Sequence, residues 1–336
     1  MEERENVSRD PAPKILFIRT DRLGETLLNL PAIAALKAAF PQSPITLLVN
    51  PELTDLLGAL PGLDAVIGYP LSRSSHWWPR TIELACQLRC RHFDLVLVSN
   101  PKKEFHLATF LAGIPVRVGY DRKWGGLLTH RLLDRKALGE RHEVEYNVDL
   151  VRALGTQASI PRVQFPRLER EEAEVFQLLA QQGIARSEPF IAVHPWTSNP
   201  LKQWPAVRFQ ELIRRVRERV QVRVVVIGGP EESGRVSEVV PNELPVVNLV
   251  GRLTLKQLAA LLQRARLLIS NDSGPVHLAA AVGTPTVVLF GASSASTGPR
   301  RWGPWGDAGH VVIAKSSMEA ISVDEVMETV ERKLIA

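Results

Sequence analysis

From residue 14 onward, short apolar runs alternate with longer stretches in which apolar and polar residues recur at helical spacing. The runs KILFIR (14–19), PITLLV (44–49), AVIGY (65–69) and FDLVLVS (93–99) are nearly continuous in apolar residues, and a helical segment at about 24–40 follows the first. Strands that are apolar on both faces belong in a parallel sheet covered by helices on both sides. The rhythm restarts after residue 189 with FIAVH (190–194), VRVVVIGG (222–229), VVNLVG (246–251), RLLIS (266–270) and TVVLFG (286–291). Helical segments near 205–219, 255–265 and 275–282 separate most of these runs. The expected architecture is α/β, with two doubly wound, Rossmann-like domains. Pro161 and Pro166 bracket a short extended piece, and a charged helix, REEAEVFQLLAQQ, leads to Gly183. We therefore expect a flexible tail at 1–13, an N-terminal domain at 14–165, a linker region at 166–187 and a C-terminal domain at 188–336. In such a pair the carboxyl ends of both sheets can face a central cleft, a common place for a ligand.

Composition narrows the class. The chain has 336 residues, 45% of them hydrophobic and 23% charged, which excludes a disordered or fibrous protein. Lys plus Arg number 41 against 36 for Asp plus Glu, a net charge of +5. That mild excess fits contact with phosphates or an anionic membrane surface and is too weak to mark a nucleic-acid partner. The two cysteines, Cys86 and Cys90, stand four apart in a stretch that reads as helix, where a disulfide is disfavoured and buried reduced thiols are expected. With His92 they make three of the four ligands a structural metal site needs. No apolar run reaches the ~18 residues of a membrane span, and the start, MEERENVSRDPAPK, is charged where a signal peptide is apolar. A cytoplasmic protein is expected. The turn after the first strand, RTDRLGETLLNLP, has neither GxGxxG nor GxxxxGK[ST] spacing, and HExxH and GxSxG are absent.

Three other segments carry candidate chemistry. Arg19-Thr20-Asp21-Arg22-Leu23-Gly24-Glu25 places a carboxylate at a helix start just past the first strand, where amides and the helix dipole favour negative charge. Pro31 is expected inside that helix and should kink it at the carbonyl of Leu27. His194 to Pro205 (HPWTSNPLKQWP) is rich in hydroxyl and amide groups and offers Lys202 as a cation for an anionic group; Trp204 is expected to close the core. Ser270 to Leu278 (SNDSGPVHL) joins a strand to a helix with Ser273 as N-cap candidate, Gly274 allowing close approach and Pro275 in the first turn. Amides at such a helix start can hold a diphosphate.

Taken together, RTDRLGETLLNLPAIAALK, HPWTSNPLKQWPAVRF and LISNDSGPVHLAAAVGTPTVVLFG, with VVVIGGPEE and LVGRLTLKQLAALL between the last two, resemble glycosyltransferase family 9, the ADP-heptose:lipopolysaccharide heptosyltransferases. The resemblance spans nearly the whole chain. It implies a two-domain GT-B fold, an acceptor held by the N-terminal domain, a nucleotide-sugar donor held by the C-terminal one, and inverting transfer without metal or other cofactor. It implies Glu25 as catalytic base, with Asp21 as fallback, where the family normally has Asp after this glycine. The extra methylene moves the carboxylate by ~1.5 Å. It further implies Lys202 beside the donor diphosphate, donor contacts from Thr197, Ser198, Asp272, Ser273, Gly274 and His277, and acceptor contacts from Arg22, Gly24, Lys102 and Lys103. The acceptor implied is an anionic glycolipid at the inner face of the cytoplasmic membrane, to which Lys102, Lys103, Arg122 and Lys123 can offer charge and which the protein can touch peripherally. Trp196, where relatives often carry a small residue, and GPRRWGPWG (298–306) depart from the pattern near the expected donor pocket. Two alternatives keep the fold: a nucleotide-sugar epimerase, and a catalytically weak binding protein that holds a nucleotide-sugar.

Overall fold

The computed structural model describes residues 12–70, 77–240, 244–291 and 294–335, so the expected tail lies outside them as far as residue 11. The chain divides into two compact units, the first ending at Val163 and the second beginning at Gln164. In the first, β1 (Ile15–Ile18), β2 (Ile45–Val49), β3 (Ala65–Gly68), β4 (Leu95–Val98), β5 (Val116–Tyr120) and β6 (His130–Leu132) form one parallel sheet in the order β3-β2-β1-β4-β5-β6. Its helices are α1 (Leu23–Leu27), α2 (Leu30–Ala39), α3 (Thr54–Leu57), α4 (Trp77–Arg89), α5 (Lys103–Leu111) and α6 (Glu143–Arg152). β1, β2 and β4 are buried along their whole length, as their unbroken apolar sequences require, while edge strands β3 and β6 are partly exposed.

The second unit repeats this plan. Strands β7 (Phe190–His194), β8 (Arg223–Val226), β9 (Val247–Asn248), β10 (Leu268–Asn271), β11 (Thr286–Phe290) and β12 (Val311–Ala314) are parallel in the order β12-β11-β10-β7-β8-β9. Counted from β7, that is the same 3-2-1-4-5-6 order as the first sheet. Helices α7 (Glu169–Gln181), α8 (Ala206–Arg219), α9 (Leu255–Arg264), α10 (Gly274–Val282), α11 (Pro299–Trp302) and α12 (Val323–Ile335) complete it. Within the stretch read as a linker, α7 packs on α9, Gln257 Nε2 donates to Glu174 Oε2 (2.9 Å), and Gln263 Nε2 donates to Pro166 O (2.9 Å).

Several expectations need correction. The helix expected at 24–40 is two helices, and Pro31 does not kink a continuous one; it sits in the first turn of α2, where its missing N–H leaves no gap. The strand expected over 246–251 shrinks to Val247–Asn248, an edge pairing of two residues. β5, β6 and β12 carried no clear pattern, because β6 reads His-Arg-Leu and β12 is half exposed at the other sheet's edge. Cys86 and Cys90 are free and exposed, not buried. α4 turns Thr81, Leu84, Ala85 and Leu88 inward, and the thiols fall on its other face.

Candidate functional site

In a 3-2-1-4-5-6 sheet the crossovers leave strands 1 and 4 in opposite directions, so the carboxyl ends of those two neighbours stay uncovered. In the first unit these are the ends of β1 and β4, followed by Arg19-Thr20-Asp21-Arg22 and by Ser99-Asn100. The two ends are tied by side chains. Arg19 is buried, with Nε 3.1 Å from Asp21 Oδ2 and Nη1 donating to Ser99 O (3.3 Å) and Ser99 Oγ (3.2 Å). Asn100 Nδ2 donates to Thr20 Oγ1 (3.1 Å) and Asp21 Oδ1 (3.3 Å), and Lys102 Nζ lies 3.5 Å from the same Asp21 oxygen. The Asp21 carboxylate is thus committed to two cations and an amide. Glu25, half-buried in the first turn of α1, has no hydrogen-bond or ion-pair partner among the described residues.

Beside this turn lies a cavity of about 790 Å³. Its walls carry four cations, Arg22, Lys102, Lys103 and Lys123, against three carboxylates, Asp21, Glu52 and Glu104, with Thr20, Asn50, Pro51 and Pro70 between them. Gly24, which is buried, and Glu25 lie outside the lining. Lys103 Nζ stands 4.0 Å over the Trp77 ring, and Lys123 adopts a left-handed backbone (φ 56°), uncommon for a residue with a Cβ. Arg122 is turned aside, 3.6 Å from Asp134 Oδ2.

In the second unit the uncovered ends belong to β7 and β10, and two of the segments singled out in the sequence meet there. Lys202, in a single turn at Pro200–Lys202, places Nζ 2.5 Å from Asp272 Oδ2. Burial pushes the Asp272 carboxyl above the usual carboxylate range, and Lys202 opposes that shift. Asp272 therefore acts first as the anchor of Lys202. Thr197 Oγ1 donates to Asp272 O (3.4 Å), while Ser198 is exposed. Ser273 occupies the N-cap of α10, yet its hydroxyl does not cap; it turns inward to Ser270 Oγ (2.9 Å) and His194 Nδ1 (3.1 Å). Burial pushes His194 down to about 4, so this imidazole is neutral at pH 7. Gly274 opens the helix, and His277, one turn in, is buried. A cation at the entrance of a nine-residue helix suits an anionic group.

Trp196 does not line this site. It is fully buried in the core with Trp204, against Gly228, where an added Cβ would come within 2.9 Å of the indole ring. Trp204 closes the core as expected and donates from Nε1 to Ile321 O (3.0 Å). Within the departure at 298–306, Pro299–Trp302 form α11, with Trp302 Nε1 donating to Ser296 O (2.9 Å).

The reading of the sequence missed the residues that hold the turns. Asn271 accepts from Trp204 N (3.0 Å) and donates to Pro195 O (2.6 Å), clamping the Lys202 loop to β10. Ser99, Asn100, Lys136, Glu143 and Asn147 brace the first turn. A polar residue at the carboxyl end of an apolar strand was the available signal for Ser99, Asn100 and Asn271. Among the described residues no group of three or more His, Cys, Asp or Glu side chains is placed to hold a metal ion, and no helix is long and apolar enough to cross a membrane.

The family model of glycosyltransferase family 9 (heptosyltransferase) matches residues 81–330. Lipopolysaccharide heptosyltransferase 2 of Escherichia coli K12 is 27% identical over 294 residues, covering 84% of this chain and 83% of its own. The crystal structure of a family 9 glycosyltransferase from Veillonella parvula superposes with TM-score 0.86 at 24% identity, covering 96% of this chain and 97% of its own. That of Escherichia coli ADP-heptose lipopolysaccharide heptosyltransferase II gives 0.80 at 24% identity, over 96% and 98%. The paired Rossmann-like sheets are those of a GT-B fold, and the chain belongs to glycosyltransferase family 9, the heptosyltransferase family.

Proposed function

We propose that this glycosyltransferase moves a heptose from ADP-heptose to an anionic lipopolysaccharide-core acceptor, with inversion and without a metal ion. The observation that carries the reading is the contrast between two carboxylates on one turn. Asp21 is held by Arg19, Asn100 and Lys102, whereas Glu25 is half-buried and unpartnered among the described residues, so Glu25 is the one able to accept a proton. As base it removes the proton of the acceptor hydroxyl while that oxygen attacks the anomeric carbon. The glycosidic oxygen leaves with the nucleoside diphosphate, and a single displacement inverts the configuration. Lys202, held by Asp272, and the amides opening α10 stabilise the charge that gathers on the leaving diphosphate.

The cavity with Arg22, Lys102, Lys103 and Lys123 supports an acceptor bearing phosphate or carboxylate groups. On this reading the acceptor is a glycolipid and the enzyme works in the cytoplasm, against the inner face of the membrane. Calorimetric titration with ADP, UDP and GDP, each with and without magnesium, tests the donor side. Magnesium-independent binding of ADP over UDP and GDP is expected; a preference for UDP or GDP removes the heptose reading. Glu25→Gln should lower turnover by about a hundredfold or more while ADP affinity is kept. Full turnover in that variant would give the base role to another group. ADP binding with no transfer to any acceptor would favour the binding-protein alternative.

A further inference from the structure

A helix interrupted before a proline leaves main-chain carbonyls without their usual donors, and inside a protein each needs another. The break between α1 and α2 is such a place. Asn29 N turns to Thr26 O (3.0 Å), so Glu25 O lacks the amide it would receive in a continuous helix and accepts instead from Asn29 Nδ2 at 2.7 Å. Leu28 O accepts from Asn147 Nδ2 of α6 at 3.0 Å. Asn29, Asn147 and Ser99 are all fully buried.

Ser99 joins the two asparagines. Its Oγ lies 2.5 Å from Asn29 Oδ1 and 3.3 Å from Asn147 Oδ1, and it accepts from Arg19 Nη1 at 3.2 Å. A hydroxyl has one hydrogen, and with Arg19 donating to it, Ser99 spends that hydrogen on the nearer Asn29 Oδ1. This sets the Asn29 amide with its oxygen toward β4 and its nitrogen toward Glu25 O. Beneath, Lys136 Nζ is 2.6 Å from Glu143 Oε1 and 3.5 Å from Asn147 Oδ1, and Arg19 Nη1 is 3.7 Å from the same Glu143 oxygen. The Glu25 carboxylate has no hydrogen-bond or ion-pair partner among the described residues, so its place follows from its main chain.

We propose that Asn29 is a positioning residue for Glu25: its amide, oriented by Ser99, fixes the main chain of the base against the ends of β1 and β4. This rests on the assignment of Glu25 as base made above. Misplacing a reacting group by ~1 Å is enough to cost about a hundredfold in rate.

Asn29→Asp keeps size and the acceptor toward Ser99 but faces Glu25 O with an oxygen. We expect kcat for heptosyl transfer to fall about 10- to 100-fold, with KM for both substrates within about twofold of the parent. The far-ultraviolet circular dichroism and the urea midpoint of the full chain should match those of the parent. Ser99→Ala, which removes only the orienting hydroxyl, should give a smaller fall of the same kind. In a Glu25→Gln background Asn29→Asp should cause no further loss, whereas a loss of folded protein would multiply with it. Unchanged kcat in both Asn29→Asp and Ser99→Ala overturns the proposal, as does a fall in kcat matched by a loss of circular dichroism signal. Full turnover in Glu25→Gln alone overturns the base assignment itself, so the two failures are told apart.

Discussion

A single side chain at this site takes its meaning from which neighbours the fold supplies. Asp21 and Glu25 are both acidic residues of one turn, yet only Asp21 is engaged by Arg19, Asn100 and Lys102. His194 illustrates the same point in the second unit, where the hydroxyls of Ser270 and Ser273 surround a ring that burial keeps neutral. Its folded pKa, about 4, lies below the 6.5 of an ordinary histidine. The unfolded chain therefore takes up a proton first as pH falls, and the stability this residue contributes is full above pH 6.5 and is lost between there and about 4. By pH 5 the loss amounts to about 2 kcal/mol. Urea midpoints of the parent and of His194→Asn, compared at pH 7.5 and pH 5, should show a steeper fall in the parent; parallel falls would mean that His194 titrates normally in the folded state.

At the scale of elements, two short connections decide the geometry. The α1–α2 break exists because Pro31 cannot donate to Leu27 O, and α2 begins anew with the proline in its first turn. The loop after β7 carries Trp196 into the core and Lys202 out to Asp272, with Asn271 as the clamp between them. Gly228, just past β8, makes room for the indole. Gly228→Ala would press a methyl into the Trp196 ring, and we expect a cost of about 1–3 kcal/mol. A lower denaturation midpoint and altered tryptophan emission would record it, and an unchanged midpoint would show that the indole can shift freely.

The whole molecule is two copies of one topology, each with its own parallel sheet, and the second has its own extensive apolar cluster. The hydrogen bonds linking residues 165–182 to α9 and α10 lie within the second unit. Residues 164–336 expressed alone should therefore unfold cooperatively and bind ADP without supporting transfer. Calorimetry and circular dichroism would check this. A molten fragment, or one that binds no nucleotide, would show that the second unit depends on the first.

Periodicity alone determined the α/β class, the division into two units and the buried strands β1, β2, β4, β7, β10 and β11, because a strand covered on both faces must be apolar throughout. It also placed Glu25, Lys202 and Ser273 in turns after strands, since strand-to-helix transitions leave local marks. Edge strands such as β6 and β9 bury little and left no such mark. Only the tertiary structure paired Lys202 with Asp272, turned Ser273 from cap to partner of His194, committed Asp21 to Arg19 and Lys102, and joined Ser99 to Asn29 and Asn147. Most of these contacts join residues 48 to 79 positions apart, and they form because the strand order sets β1 beside β4 and β7 beside β10. No local pattern encodes that adjacency.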